Sequence, residues 1–222
     1  MTTPQMTLEI RWFFPGTIPE NEVEDWFLDN PRFGERLTEK HGKTREDIYL
    51  LTPGNSDIGA KLREGKFEIK LLKDQQEFID LAGGVSGKSE VWHKWKWPYA
   101  RTKKDKKINE VVTNSFLART PEKLRVTIWK QRWQRKFKPA SPEDLDPVPK
   151  SQKDLSWRIS AELTGLQIKG APWWTMAIEV CENPDDPSPF FQQSVDWMLQ
   201  DYPGPLLQID NSSSYPEWLA LL

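Results

Sequence analysis

Lys61 and Arg63 stand two residues apart, and so do Glu68 and Lys70 on the far side of Glu64-Gly65-Lys66. Strand side chains point alternately to opposite faces, so each pair falls on one side of its strand while Phe67, Ile69 and Leu71 take the other. Thr7, Glu9 and Arg11 alternate in the same way with Leu8, Ile10 and Trp12, and Trp92, Lys94 and Lys96 with His93, Trp95 and Trp97. Guanidinium groups bind phosphate oxygens bidentately and ammonium groups act on them as point charges. Carboxylates on the same faces suit a hard divalent cation. If these faces converge inside a closed sheet, they make a polar lumen for a multiply charged anion and a metal ion. Such a lumen has two tasks, to neutralise the anion and to hold the metal ion. Lys61, Arg63, Lys70, Lys94 and Arg158 are cations for the first task, and Glu9 is a carboxylate for the second. Mutual pairing of these charges with no ligand is the structural alternative.

The elements that must position them read mainly as strands. Residues 6 to 14 alternate and stop at Pro15-Gly16; 47 to 52, 58 to 63, 66 to 73, 89 to 97, 124 to 137, 156 to 164 and 173 to 182 follow, with 124 to 137 the longest. Gly65, between the third and fourth of these runs, marks a hairpin. Val23, Trp26 and Phe27 have helical spacing behind Pro19 and acidic residues, which predicts a short helix over 21 to 28 covering the sheet from outside. Helices are also expected over 108 to 117 and over 188 to 199, the latter capped by Ser188 or Asp186. Residues 76 to 82 give no clear period. Pro142, Pro147 and Pro149 mark a linker, and the apolar end from Pro216 to Leu222 is suited to docking.

Seven or eight antiparallel strands with a few peripheral helices predict an α+β, β-dominated fold, a closed or nearly closed antiparallel β-barrel that leaves no free edge. The 222 residues are expected to form one domain, with 183 to 222 a C-terminal helical extension packed on the barrel. Only 37% of residues are hydrophobic against 29% charged, so 12 Trp and 10 Phe must supply much of the core. The net charge of −2 hides an uneven distribution: residues 88 to 138 hold 16 Lys and Arg against 4 Asp and Glu, a middle stretch able to attract phosphates. A single cysteine, Cys181, excludes a disulfide framework and a Cys-rich metal site. With no signal-like or membrane-length apolar run, a soluble, cytoplasmic protein with no membrane partner is expected.

Three other signals compete with the lumen. Ala82 to Ser89 (Ala-Gly-Gly-Val-Ser-Gly-Lys-Ser) fits a relaxed phosphate-loop pattern, but a strand follows it where a helix should, so it reads as a glycine turn. Lysines interleaved with tryptophans over Trp92 to Trp97 are a pattern for single-stranded nucleic acid, which makes nucleic acid an alternative partner. Strand alternation nevertheless separates Lys from Trp. His41 and His93 have no partner at ligand spacing, and His93 reads as a half-buried core residue. On the long strand Lys130 and Arg132 share parity with Val126 and Ile128, so a bulge near Trp129 is expected to separate the charged from the apolar positions.

The order of these motifs resembles the CYTH domain of the triphosphate tunnel metalloenzymes, over most of residues 7 to 182. Thr7-Leu8-Glu9-Ile10-Arg11 is similar to the family's first-strand Glu-x-Glu-x-Lys, with a hydroxyl for the first carboxylate and Arg11 for the lysine. Lys61 and Arg63 resemble its phosphate-binding pair, Phe67-Glu68-Ile69-Lys70 its next strand, and Lys130 and Arg132 the basic pair of its long strand. Ile159 to Leu166 and Met176-Ala177-Ile178-Glu179 resemble its late acidic strands, with Ala177 replacing one glutamate. The resemblance implies a triphosphate or nucleoside triphosphate held by Arg11, Lys61, Arg63, Lys70, Lys94, Lys130, Arg132 and Arg158. It also implies Mg²⁺ or Mn²⁺ on Glu9, Glu162 and Glu179, and possible triphosphatase activity. A phosphate- or nucleotide-binding protein without catalysis is the alternative that the replaced carboxylates suggest.

Overall fold

Strands whose two faces differ so strongly in polarity need two different environments, and closing the sheet supplies them. The computed structural model describes residues 4–38, 42–63, 66–98, 103–141, 144–149, 158–181 and 188–222. Its strands are β1 (Gln5–Pro15), β2 (Lys43–Leu50), β3 (Ile58–Arg63), β4 (Lys66–Asp80), β5 (Ser86–Pro98), β6 (Arg125–Ser141), β7 (Asp144–Pro147), β8 (Arg158–Ile168) and β9 (Ala171–Cys181). They run in the order β2-β3-β4-β5-β1-β9-β8-β6, and β6 returns to β2, so eight antiparallel strands close a barrel with β7 added to β6 outside the ring. The helices are α1 (Asp25–Asp29), entered through a π-helical turn at Glu20–Glu24, α2 (Lys103–Arg119), α3 (Ser188–Leu199) and α4 (Tyr215–Ala220). Among the described residues, no helix is long and apolar enough to cross a membrane.

Two apolar clusters lie on opposite sides of the barrel wall. Leu8, Ile10, Trp12 and Phe14 of β1 point outward with Leu163 and Ile178, and Phe27, Phe33, Phe191, Val195 and Met198 cover them. Arg135, on the outer face of β6, ties this cover down by donating to the carbonyls of Phe27, Leu28, Phe33 and Glu35. Inside, Phe13, Tyr49, Val126, Ile128, Leu166 and Ile168 fill one end of the lumen. Helix α4 closes that end: the Trp218 ring stacks on Phe13 at 4.4 Å and Tyr215 on Tyr49 at 5.1 Å. Ser214 caps α4 by accepting from the Glu217 amide, and Pro216 sits in its first turn.

Several boundaries differ from the sequence reading for identifiable reasons. β2 begins at Lys43 instead of residue 47, which puts Arg45 on the lumen face. The stretch from 76 belongs to β4, whose register against β5 shifts at Leu72/Asp74 and again at Asp74/Glu77; such bulges destroy a period-two pattern. No bulge occurs at Trp129, because β6 pairs without interruption with both β2 and β8 there. One face of β6 is apolar at Val126 and Ile128 and charged at Lys130 and Arg132 simply because the lumen itself changes character along its axis. Part of the expected linker is strand β7 with its Pro147, while Pro142 and His41 lie outside the described residues. Ala82–Gly84 is a short 3-10 turn and β5 starts two residues later, so Lys88 and Ser89 are strand residues.

Candidate functional site

Adjacent strands bring their inward side chains into rows, and the rows in the middle of the barrel are ionic. Arg11, Lys61, Arg63, Lys70, Lys94, Lys130 and Arg132 all border one lumen cavity of about 70 Å³, together with Glu9, Glu162 and Glu179. Ten of the eleven residues expected from sequence therefore meet around one space. The eleventh, Arg158, faces the same lumen nearer the open mouth, where its Nε is buried without a hydrogen-bond partner.

Asp47 is the centre of the network and was not anticipated. It is fully buried and accepts a bidentate pair from Arg63 at 2.8 and 2.7 Å, with Arg45 at 3.3 Å, Lys130 at 3.5 Å and Lys61 at 4.0 Å. Burial alone would raise its carboxyl, but Arg63, Lys130 and Lys61 outweigh that and hold it far below the ordinary carboxylate range. Glu68 pairs with Lys61 at 3.3 Å and with Arg63 at 3.6 Å, and against the cost of burial these cations bring it down to about 2. Glu162 accepts from Arg11 at 3.2 Å and Arg132 at 2.8 Å; burial opposes ionisation, yet the two guanidiniums keep it well below its usual value.

Glu90, Glu9 and Glu179 form a row of carboxylates in register across β5, β1 and β9. Lys70 donates to Glu9 at 2.6 Å and the Cys181 thiol to Glu179 at 2.6 Å. Burial and the neighbouring Glu9 raise Glu90 to about 7, whereas Lys94 and Lys70 overcome burial to keep Glu179 low. Among the described residues, no three Asp, Glu, His or Cys side chains are grouped closely enough to hold a metal ion. The carboxylates of Glu9, Glu162 and Glu179 carry Lys, Arg and thiol donors.

The lysines record the opposite imbalance. Burial, and then the adjacent Arg63, lower Lys61 to about 7 in spite of Glu68 and Asp47. Lys130 is lowered further by burial, with Asp47 opposing only in part. Its ammonium lies 3.6 Å from the centre of the Tyr215 ring and donates to the Tyr49 hydroxyl at 2.8 Å. The Tyr215 hydroxyl is buried at the same cavity without a hydrogen-bond partner.

Arg45, Asp47, Tyr49, Glu68, Trp92 and Tyr215 are the site residues that were not singled out as ligands from sequence. Asp47 and Tyr49 already shared a face of the expected second strand, and starting it four residues earlier adds Arg45 to that face. Trp92 shares parity with Lys94, and its ring indeed faces the lumen, 5.7 Å from the Lys70 ammonium. Nothing in the sequence near Tyr215 points to a barrel interior. His93 and Trp95 touch each other on the outer face, half-buried. No protein-family model matches the chain, and no curated protein matches it.

Proposed function

We propose that the barrel lumen binds a triphosphate, either inorganic or as a nucleoside triphosphate. The observation that carries this is a charge imbalance: eight Lys and Arg side chains from six strands border the cavity against four carboxylates, with Asp47 a fifth carboxylate among them. Lys61 and Lys130 hold their protons weakly, chiefly because they are buried and further because neighbouring cations repel them. A polyanion supplies the missing counter-charge, and each phosphate oxygen accepts a charge-assisted hydrogen bond. The cavity is smaller than a triphosphate, so binding requires cations to turn from Glu68, Glu162 and Glu9 to the ligand. Such an exchange of ion-pair partners retains most of the electrostatic energy of the network.

Thr7 and Ala177, which stand where the family that the motifs resemble has carboxylates, favour binding without turnover over metal-assisted hydrolysis. Calorimetric titration with tripolyphosphate and with ATP, with and without Mn²⁺, alongside phosphate release, separates the two. Saturable binding that weakens with salt and releases no phosphate is expected. Absence of saturable binding overturns the proposal, and Mn²⁺-dependent release assigns hydrolysis to the same lumen.

A further inference from the structure

The open mouth of the barrel runs into a second pocket, of about 590 Å³, where β6 continues past the start of β2. Arg132 borders both this pocket and the lumen cavity. The walls combine two chemistries. Leu37, Pro147, Val148 and Pro149 are apolar, while Lys43, Lys136 and Arg36 bring positive charge that outnumbers the one carboxylate, Glu35. Neither lysine has a carboxylate within ion-pair distance among the described residues, and burial with Arg158, Lys43 and Arg132 lowers Lys136.

The pocket is also built in advance. Arg135 holds its floor by donating to the carbonyls of Phe33 at 2.8 Å and Glu35 at 2.7 Å. Its rim depends on Gly34, whose φ is +81° and whose hydrogen faces Pro147 so closely that a Cβ would lie 2.8 Å from the proline ring. The Val148 amide donates to the Lys136 carbonyl at 2.8 Å, fixing the opposite wall. Its size is ordinary for small-molecule sites, which run from about 300 to 1,000 Å³ and are mostly apolar with a few placed polar groups. A free inorganic anion has no use for the apolar walls.

We propose that this pocket holds the nucleoside of a nucleoside triphosphate whose phosphates pass Arg132 into the lumen. This rests on the triphosphate reading and narrows it: the base packs on Leu37, Val148 and Pro149, the ribose and first phosphate lie near Lys43 and Lys136, and the terminal phosphates meet the lumen cations. The ligand is an ester of triphosphate with an apolar aromatic group, not the inorganic ion alone.

The test compares ATP with methyl triphosphate, which carries the same charge, by calorimetry on the full chain and on Val148→Trp, which fills the pocket. ATP is expected to bind at least tenfold more tightly than methyl triphosphate to the unsubstituted protein. Val148→Trp should reduce ATP to the level of the methyl ester while leaving the methyl ester unchanged. Equal affinities in the unsubstituted protein, or a difference that survives Val148→Trp, overturn the nucleoside assignment while leaving the lumen reading intact. If neither ester nor tripolyphosphate binds, both fall. Saturation-transfer NMR on the unsubstituted protein gives an independent reading should the variant not fold: saturation must reach the adenine protons, and its absence with ATP bound overturns the assignment.

Discussion

Two halves of one lumen, built by the same strands, use the inward face in opposite ways. Towards α4, Phe13, Val126, Ile128, Leu166 and Ile168 pack against Trp218 and Leu219 as an ordinary apolar core. Two residues along β1 and β6 the inward positions are Arg11 and Lys130, paired with Glu162 and Asp47. Tyr49 and Tyr215 mark the boundary, each presenting a ring to the apolar side and to the Lys130 ammonium. The apolar half holds the barrel together and seals one end. The ionic half is stabilised only as far as its charges are paired, and its surplus of cations is the part that packing cannot explain.

The sharpest way to break this comparison is to remove Asp47. Asp47→Ala takes from Arg45 and Lys130 the carboxylate they pair with and leaves Lys61 and Arg63 with Glu68 alone, and loss of one partner of a buried pair costs about 3–5 kcal/mol. Denaturant unfolding should show a destabilisation of that size. A change below about 1 kcal/mol would mean that water or Glu68 already screens the cluster. Arg63→Ala is coupled to the same network: it strips Asp47 of both its short hydrogen bonds, so stability and anion affinity should fall together.

In the apolar half Trp218→Ala should cost about 3 kcal/mol, the lower part of the range for deleting a large buried aromatic, because α4 sits at the barrel end. Trp218 stacks on Phe13 and meets Trp173 edge-on at 5.3 Å. Its indole nitrogen is buried without a partner, so the loss is one of packing alone. Triphosphate affinity should change little beside this loss of stability. A selective loss of affinity would show that the plug shapes the ionic half as well as closing it.

This division also explains what was legible beforehand. Period-two alternation of charged with apolar residues is a local property, and it located most strands and, around the cavity, Glu9, Lys61, Arg63, Lys70 and Lys94, while Arg11, Lys130, Arg132, Glu162 and Glu179 came from the resemblance in motif order. The strand ends were less visible. Arg45 belongs to a strand that begins with Lys43-Thr44-Arg45-Glu46, four polar residues that look like a loop until β6 pairs with them along one side. The bulges in β4 erased its pattern beyond Leu72. Tyr215 lies more than 200 residues along the chain from Arg11, whose guanidinium faces its ring at 4.9 Å, and only the completed barrel brings them together. Alternation reports that a face is charged, but not that the same face becomes apolar at one end, which is why β6 seemed to need a bulge.

Raising the pH should move stability and affinity in opposite directions. Lys61, lowered by burial and by Arg63 to about 7, binds fewer protons in the folded than in the unfolded chain between about pH 7 and its ordinary value near 10.5. Stability therefore gains from this residue as pH rises through that window. Lys130, lowered for the same reason, adds to the trend. Triphosphate binding favours the charged ammonium, so its affinity should fall above pH 7 by up to about tenfold per pH unit for each proton taken up. Titrations in buffers of different ionisation enthalpy measure that proton uptake directly. Affinity that is flat from pH 7 to 9 would place the anion away from Lys61.

The gentlest perturbation is Lys94→Ala. Lys94 borders the cavity, yet among the described residues no carboxylate lies within ion-pair distance of it, and Lys70 faces it across the β4–β5 ladder. Removing it takes counter-charge from Glu179 but also relieves a like-charge neighbour, and the two effects oppose each other. Stability should stay within about 0.5 kcal/mol of the unsubstituted protein, the range for changes that leave packing and paired charges alone. Tripolyphosphate affinity should nevertheless drop about tenfold, since a charge-assisted hydrogen bond contributes roughly 1.5–3 kcal/mol. A stable Lys94→Ala protein with unchanged affinity would confine the anion to the Arg63 side of the lumen. A destabilised one would show that Lys94 serves Glu179 rather than a ligand.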